Sequence, residues 1–214
     1  NYLDWPKLPE LFPTYFPGVQ TKRDSLVIDV DRDRLKKRMK TYFDEEVSDT
    51  EMRNVCSQAL KETQAFSAKE TRDYLKSRGF EPEFLMRHIY RPMDIRWLYW
   101  EPETKLLERK VPDYPPHVSP GNVFLATSKR SRKGFNPPST AQSIMSLHIV
   151  EYSASCFPMY LNPESGGGDL FNQSDGSGEP IPNLSPQAER YVQAHGASVE
   201  TLFYHSIAVM HAPT

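Results

Sequence analysis

Cysteine is nearly missing from this chain: Cys56 and Cys156 are the only two among 214 residues. A lone, widely separated pair is no disulfide framework and lacks the Cys-x-x-Cys spacing of a zinc site. That excludes the disulfide-stapled secreted class and makes a reducing, cytoplasmic setting the expectation. Long apolar runs are missing too, so no segment reads as a membrane span, and no signal-peptide pattern opens the chain. Neither sign of charge dominates: 26 Lys and Arg stand against 28 Asp and Glu, a net charge of −2. A histone-like chain or basic arm is excluded, and any nucleic-acid contact has to come from charge gathered locally. There is no Walker loop, no glycine-rich cofactor turn after a strand and no G-x-S-x-G. His205 and His211 are placed on different helix faces, so they make no metal pair.

Proline, with 19 residues, and aromatics, at 12%, are plentiful. Pro6, Pro9, Pro13 and Pro17 forbid a long helix at the start, where Trp5, Leu8, Leu11 and Phe12 anchor an extended segment. Residues 31–79 predict three amphipathic helices. Leu35, Met39, Tyr42 and Phe43 share one face of the first, and Met52, Val55, Cys56, Ala59 and Leu60 repeat the spacing. "SAKE" from Ser67 opens the third as a capping box, and Gly79 ends it. Over 84–160 the period changes to two, predicting strands at 84–90, 95–100, 105–110, 122–128 and 143–152. Residues 162–186, rich in Gly, Ser, Pro and Asn, predict a flexible loop, and 187–211 predict C-terminal helices. The fold class expected is α+β: a helical N-terminal part, a mixed or antiparallel sheet and a helical C-terminal part. The chain opens on Asn and closes inside a helix-like run, which reads as a piece of a longer polypeptide whose last helices are truncated.

Three stretches offer chemistry. "GFNPPST" contains the Asn-Pro-Pro of amino-methyltransferases, but Ser139 stands where their base-stacking aromatic belongs, so a proline-stiffened turn is the better reading. Asp94 with Glu103 and Lys105 has the outline of a Mg²⁺-dependent nuclease, in which two carboxylates hold the metal and the lysine activates water. Pro102 puts Glu103 on a turn, where such residues are usually solvated. "SKRSRKGF" gathers Lys129, Arg130, Arg132 and Lys133 with no acid among them, after the strand "NVFLAT". A basic loop on a β scaffold suits phosphate contact and groove entry. Lys22 and Arg23 form a weaker cluster of the same kind.

"YRPMDIRWLYWEP", from Tyr90 to Pro102, mixes charge and large aromatics as neither a buried strand nor a solvent loop does. Alternation places Arg96, Leu98 and Trp100 on one strand face and Ile95, Trp97 and Tyr99 on the other, so that one face can bury. Arg91 and Asp94 flank the turn and are expected to pair. Together with "GNVFLATSKR", with "WPKLPELFPTYFPGVQTKRDSLVIDVDRDRL" at the start, and with "CFPMYLNP" and "FYHSIAVMHAP" further on, this stretch resembles the C-terminal specificity domain of type ISP restriction–modification enzymes. Met93 departs from the family's usual Phe, and "ERKVPDY" from its usual form. The resemblance implies recognition of double-stranded DNA by a part with no catalysis and no cofactor of its own. It also implies a parent polypeptide with nuclease, helicase-like and N6-adenine methyltransferase parts, using S-adenosylmethionine, ATP and Mg²⁺. It puts the basic loop on the DNA side of the sheet, with Lys22, Arg23, Arg91 and Arg96 as further candidate contacts. The alternatives are the nuclease built on Asp94, Glu103 and Lys105, and an interaction module that packs on its own parent enzyme.

Overall fold

The computed structural model describes residues 5–64, 66–129, 137–163 and 178–212. In chain order the first half holds α1 (Leu8–Leu11), β1 (Phe16–Pro17), α2 (Asp24–Val27), β2 (Ile28–Asp29), α3 (Arg32–Phe43), α4 (Asp49–Val55), α5 (Ala68–Arg78), β3 (Leu85–Arg91) and β4 (Asp94–Tyr99). The second half holds β5 (Phe124–Ser128), β6 (Ser139–Ala141), β7 (Ile144–Met145), β8 (Ala154–Pro158), β9 (Tyr160–Leu161), β10 (Ile181–Pro182), α6 (Pro186–Ala194) and α7 (Val199–His211). This is an α+β fold with helices towards both ends. It divides into two compact units, one of Asn1–Gly18 with Val111–Thr214, the other of Val19–Lys110.

In the unit Val19–Lys110, α3 starts where the Asp31 carboxylate accepts the amides of Asp33 and Arg34, both at 2.9 Å. Its apolar positions Leu35, Met39, Tyr42 and Phe43 are all buried. A Ser48–Glu51 capping box opens α4, and Ser67 caps α5. Helix α4 stops at Val55, short of the expected spacing through Leu60. Cys56 turns extended, and the Ala59 amide closes a turn onto the Cys56 carbonyl, which still buries Ala59. Arg72 of α5 is fully buried. It donates to the carbonyls of Tyr42 (3.1 Å) and Val47 (2.9 Å) and pairs with Asp49, so its charge and its donors are satisfied.

Strands β2, β4 and β3 lie side by side, antiparallel, with Ile28 opposite Leu98, Arg87 opposite Trp97 and Ile89 opposite Ile95. The register shifts between Ile89 and Arg91, which leaves Tyr90 as the bulged residue. The expected strand at 105–110 does not form, because side chains take its backbone groups. The Thr104 hydroxyl, bonded to the buried Glu101 carboxylate, accepts the Leu106 amide (3.2 Å), while Arg23 donates to the carbonyl of Leu106 (3.1 Å). Only Arg109 pairs, with Gln20, in an isolated bridge.

In the other unit β1, β8, β5 and β6 form an antiparallel sheet, and the five residues of β8 are all buried. Phe12, Leu125, Phe157, Met159 and Phe203 pack as its core, with the Phe12 and Phe203 rings edge to face at 5.3 Å between centroids. The long strand expected at 143–152 is interrupted. Ser146 accepts the His148 amide on its hydroxyl and the Ile149 amide on its carbonyl, and the chain resumes extended structure only at β8. The flexible loop expected at 162–186 is shorter than its composition suggests at its C-terminal end. Ile181 and Pro182 pair with β9, and Asn183 is buried. Residues 164–177 of that span lie outside the described residues. The C-terminal helices break at Gly196, whose φ of 57° is the left-handed conformation that glycine adopts freely.

Two buried asparagines fasten this unit. Asn183 accepts the Thr14 amide (3.0 Å) and donates to the carbonyls of Thr14 and Pro158 (2.8 and 2.9 Å). Asn122 donates to the carbonyls of His117 (2.8 Å) and Tyr160 (2.9 Å) and accepts the Tyr160 amide at 3.1 Å. Replacing Asn122 by Ala leaves three backbone groups unsatisfied. The expected loss is about 2–3 kcal/mol, read as a lower urea midpoint at unchanged slope.

Candidate nucleic-acid interface

The β3–β4 hairpin carries three arginines, Arg87, Arg91 and Arg96, and one aspartate, Asp94. Its buried and exposed positions do not separate by face as alternation suggested. Leu98 and Tyr99 are both buried although they point to opposite faces, while Arg91, Pro92, Met93 and Ile95 are exposed at the other end. The hairpin is buried at its open end and exposed at its turn, with His88 and Ile89 of β3 still buried close to that turn. That resolves the mixture of residue types: core-forming aromatics at the open end, arginines and aromatics together further out.

Each outer arginine rests on an aromatic ring. Arg91 lies 4.3 Å and Arg96 4.0 Å from the Tyr90 ring centroid, and Arg87 lies 4.7 Å and Arg32 of α3 5.2 Å from that of Trp97. The bulge makes the first group possible, since it places the Tyr90 ring between the two arginines' strand positions. The Tyr90 hydroxyl donates to Asp24 at 2.8 Å, which fixes the ring. The expected Arg91–Asp94 pair does not form in this way. Asp94 accepts Arg96 in a forked bond (3.0 and 2.7 Å), and Arg91 donates to the Tyr90 carbonyl at 2.7 Å. Two residues along the strand, Arg96 reaches the same face as Asp94, whereas Arg91 is turned over the Tyr90 ring. The Arg96 hydrogen bond holds the Asp94 carboxyl below the usual range, so it stays ionised. Stacked guanidiniums lose little rotamer freedom when they meet a ligand, and each keeps donors for it.

The other sequence candidates that the structure describes are Lys22, Arg23 and Lys129. Arg23 is only 3% exposed. Its guanidinium sits 3.3 Å from the Phe66 ring centroid and binds backbone carbonyls, and burial lowers its pKa. It is a core residue here, and its Lys-Arg neighbourhood alone could not reveal that. Lys22 is exposed and bonded to Glu108 at 2.8 Å. Lys129, exposed beyond β5, reaches the Tyr15 hydroxyl at 3.3 Å, and Tyr15 in turn lies 4.9 Å from Phe157. Arg130, Arg132 and Lys133 lie outside the described residues. Arg32, Arg87 and Tyr90 were not picked out from the sequence. Arg87 meets the Trp97 ring through strand register and Arg32 through the position of α3, neither of which a short stretch of sequence shows.

The nuclease outline does not assemble. Asp94 is the first residue of β4 and Glu103 follows its far end, and the strand, at about 3.3 Å per residue, separates its two ends by roughly 16 Å. Glu103 is engaged by the Tyr74 hydroxyl (2.5 Å) and Arg78 (3.1 Å). Among the described residues no group of three His, Cys, Asp or Glu could hold a metal ion, and no helix is long and apolar enough to cross a membrane.

The family model of the Type ISP C-terminal specificity domain matches residues 10–214, and the chain belongs to that family. Among solved structures it is similar to part of the DrdV–DNA complex, with TM-score 0.66 and 22% identity, covering 95% of this chain and 20% of that one. It is also similar to part of the ATP-dependent Type ISP restriction-modification enzyme LlaBIII bound to DNA, with TM-score 0.66 and 15% identity over 94% of this chain and 13% of that one. A nuclease-deletion mutant of the Type ISP enzyme LlaGI with a DNA substrate mimic matches with TM-score 0.54 and 17% identity, over 90% of this chain and 19% of that one. The chain thus spans a fifth or less of the length of these structures. No curated protein sequence matches it.

Proposed function

We propose that this chain recognises a specific sequence of duplex DNA and is non-catalytic itself, serving as the specificity part of a longer cytoplasmic restriction–modification polypeptide. The remaining parts of such a polypeptide, methyltransferase and helicase with S-adenosylmethionine, ATP and Mg²⁺, would carry the chemistry. The observation that carries the reading is the set of arginines held on Tyr90 and Trp97, three of them on the β3–β4 hairpin and one on α3. A chain of net charge −2 that concentrates stacked arginines at one place has the local positive field that phosphates require. Arginine forks also match the O6 and N7 acceptors of guanine. Each of the three similar structures is a complex with DNA or a DNA mimic, which supports the same partner.

The basic loop is the second proposed contact. Replacing Lys129, Arg130, Arg132 and Lys133 together by Ala weakens binding, and each lost phosphate contact flattens the slope of log K against log salt by about 0.9. A residue that reads a base behaves differently: its loss costs roughly 1–3 kcal/mol and relaxes one position of the target. Competition between the recognised duplex and random duplex over a salt series distinguishes the two roles. Unchanged affinity, slope and preference would remove the loop from the interface.

A further inference from the structure

The corner of the hairpin is built against the ordinary rules for a turn. Arg91 faces Asp94 in the register, so Pro92 and Met93 alone make the connection. Proline followed by a positive-φ residue is the order of a type II turn, and the second place normally goes to Gly or Asn. Here it is Met93, at φ 63°. A methionine gains nothing from this conformation and bears its steric cost. Nor does it gain from burial, since Met93 is 102% exposed and neighbouring Ile95 is 53% exposed. An unbranched apolar side chain is thus held at the outermost point of a hairpin, stiffened by Pro92 and backed by Arg91 and Arg96 on the Tyr90 ring.

We propose that Met93 is a wedge that enters between two adjacent base pairs of the bound duplex and unstacks that step. This rests on the DNA-recognition reading and adds a mode of readout to it. Apolar wedges of this type are used with flanking cations: the side chain replaces one base-stacking contact, and the arginines on either side meet the phosphates of the opened step. Asp94, the one acid at the tip, is covered by Arg96 and offers the phosphates little repulsion. The polarizable thioether suits contact with base faces. Specificity follows without a base-edge hydrogen bond, because pyrimidine–purine steps unstack at lower cost than others.

The test uses the full-length protein and its selected duplex, with 2-aminopurine placed at successive positions. On binding, fluorescence rises at one step. Met93→Ala and Met93→Gly, the latter relieving the backbone strain, still bind the duplex but lose that rise, while Met93→Phe keeps it. A bound duplex in which no position brightens, or a rise that survives Met93→Ala and Met93→Gly, overturns the wedge. So does a Met93→Ala variant with unchanged fluorescence but altered domain assembly by sedimentation, which would seat Met93 on protein. Failure of the wild-type protein to bind any duplex is a different result, and it removes the recognition reading itself.

Discussion

Asp29→Asn lowers the stability of the unit Val19–Lys110 by about 3 kcal/mol at neutral pH, at the low end of what breaking a buried ion pair costs. The Asp29 side chain is almost wholly buried and accepts three sets of donors: Arg34, Arg38 at 2.8 Å and the Asp31 amide at 3.0 Å. Arg38 also donates to the carbonyls of Leu26 and Ile28, both at 2.8 Å, so it ties α3 to the α2–β2 segment. The loss comes mainly from Arg38, because the Arg34 head is mostly exposed and its pairing is weakened by solvent. The Arg34 hydrogen bond, with Arg38 and the Asp31 amide, holds the Asp29 carboxyl well below the usual carboxylate range. A depressed folded-state pKa means the stabilisation is complete above the unfolded value of about 3.9 and fades as pH falls below it. Urea midpoints of the wild type and Asp29→Asn therefore converge in acid. A gap as wide at pH 3 as at pH 7 would contradict the assignment.

Replacing Arg87, Arg91 and Arg96 together by Ala reduces duplex affinity by about 100-fold or more at moderate salt, and flattens the salt slope by about 0.9 for each arginine that meets a phosphate. The fold tolerates the change better than the interface does. Arg87 and Arg91 are exposed, and Asp94, which loses Arg96, is solvated at the hairpin tip. Binding anisotropy over a salt series gives the slope, and the thermal midpoint, moving by only a few degrees, confirms that the hairpin persists. Wild-type affinity in the triple variant would show that the stacked arginines serve the fold alone.

The helices were legible because their determinants are local. Ser67 heads a capping motif that a short window reveals, and Leu35, Met39, Tyr42 and Phe43 keep strict helical spacing. The strands at 105–110 and 143–152 were misread because apolar alternation reports burial, not a ladder. Leu106 and Leu107 are buried as expected, yet the Thr104 hydroxyl and Arg23, the latter distant in sequence, take the backbone groups of Leu106. The site was half legible. Arg91 and Arg96 stood out in a short aromatic stretch, but Arg87 and Arg32 share the Trp97 ring through strand register and the position of α3. Arg23 misled for the same reason: its run of basic neighbours is local, while the Phe66 ring that covers it lies on another segment.

The central claim is that this chain reads a DNA sequence and that the hairpin arginines take part. Selection of bound molecules from a random duplex library tests both at once, with the full-length wild type and the Arg87, Arg91 and Arg96 variants carried in parallel. The account predicts that the wild type enriches one motif, that loss of an arginine reading a base relaxes one position of it, and that loss of a phosphate contact lowers recovery without changing the motif. A wild type that enriches no motif, or variants that recover the same motif as efficiently as the wild type, would contradict it.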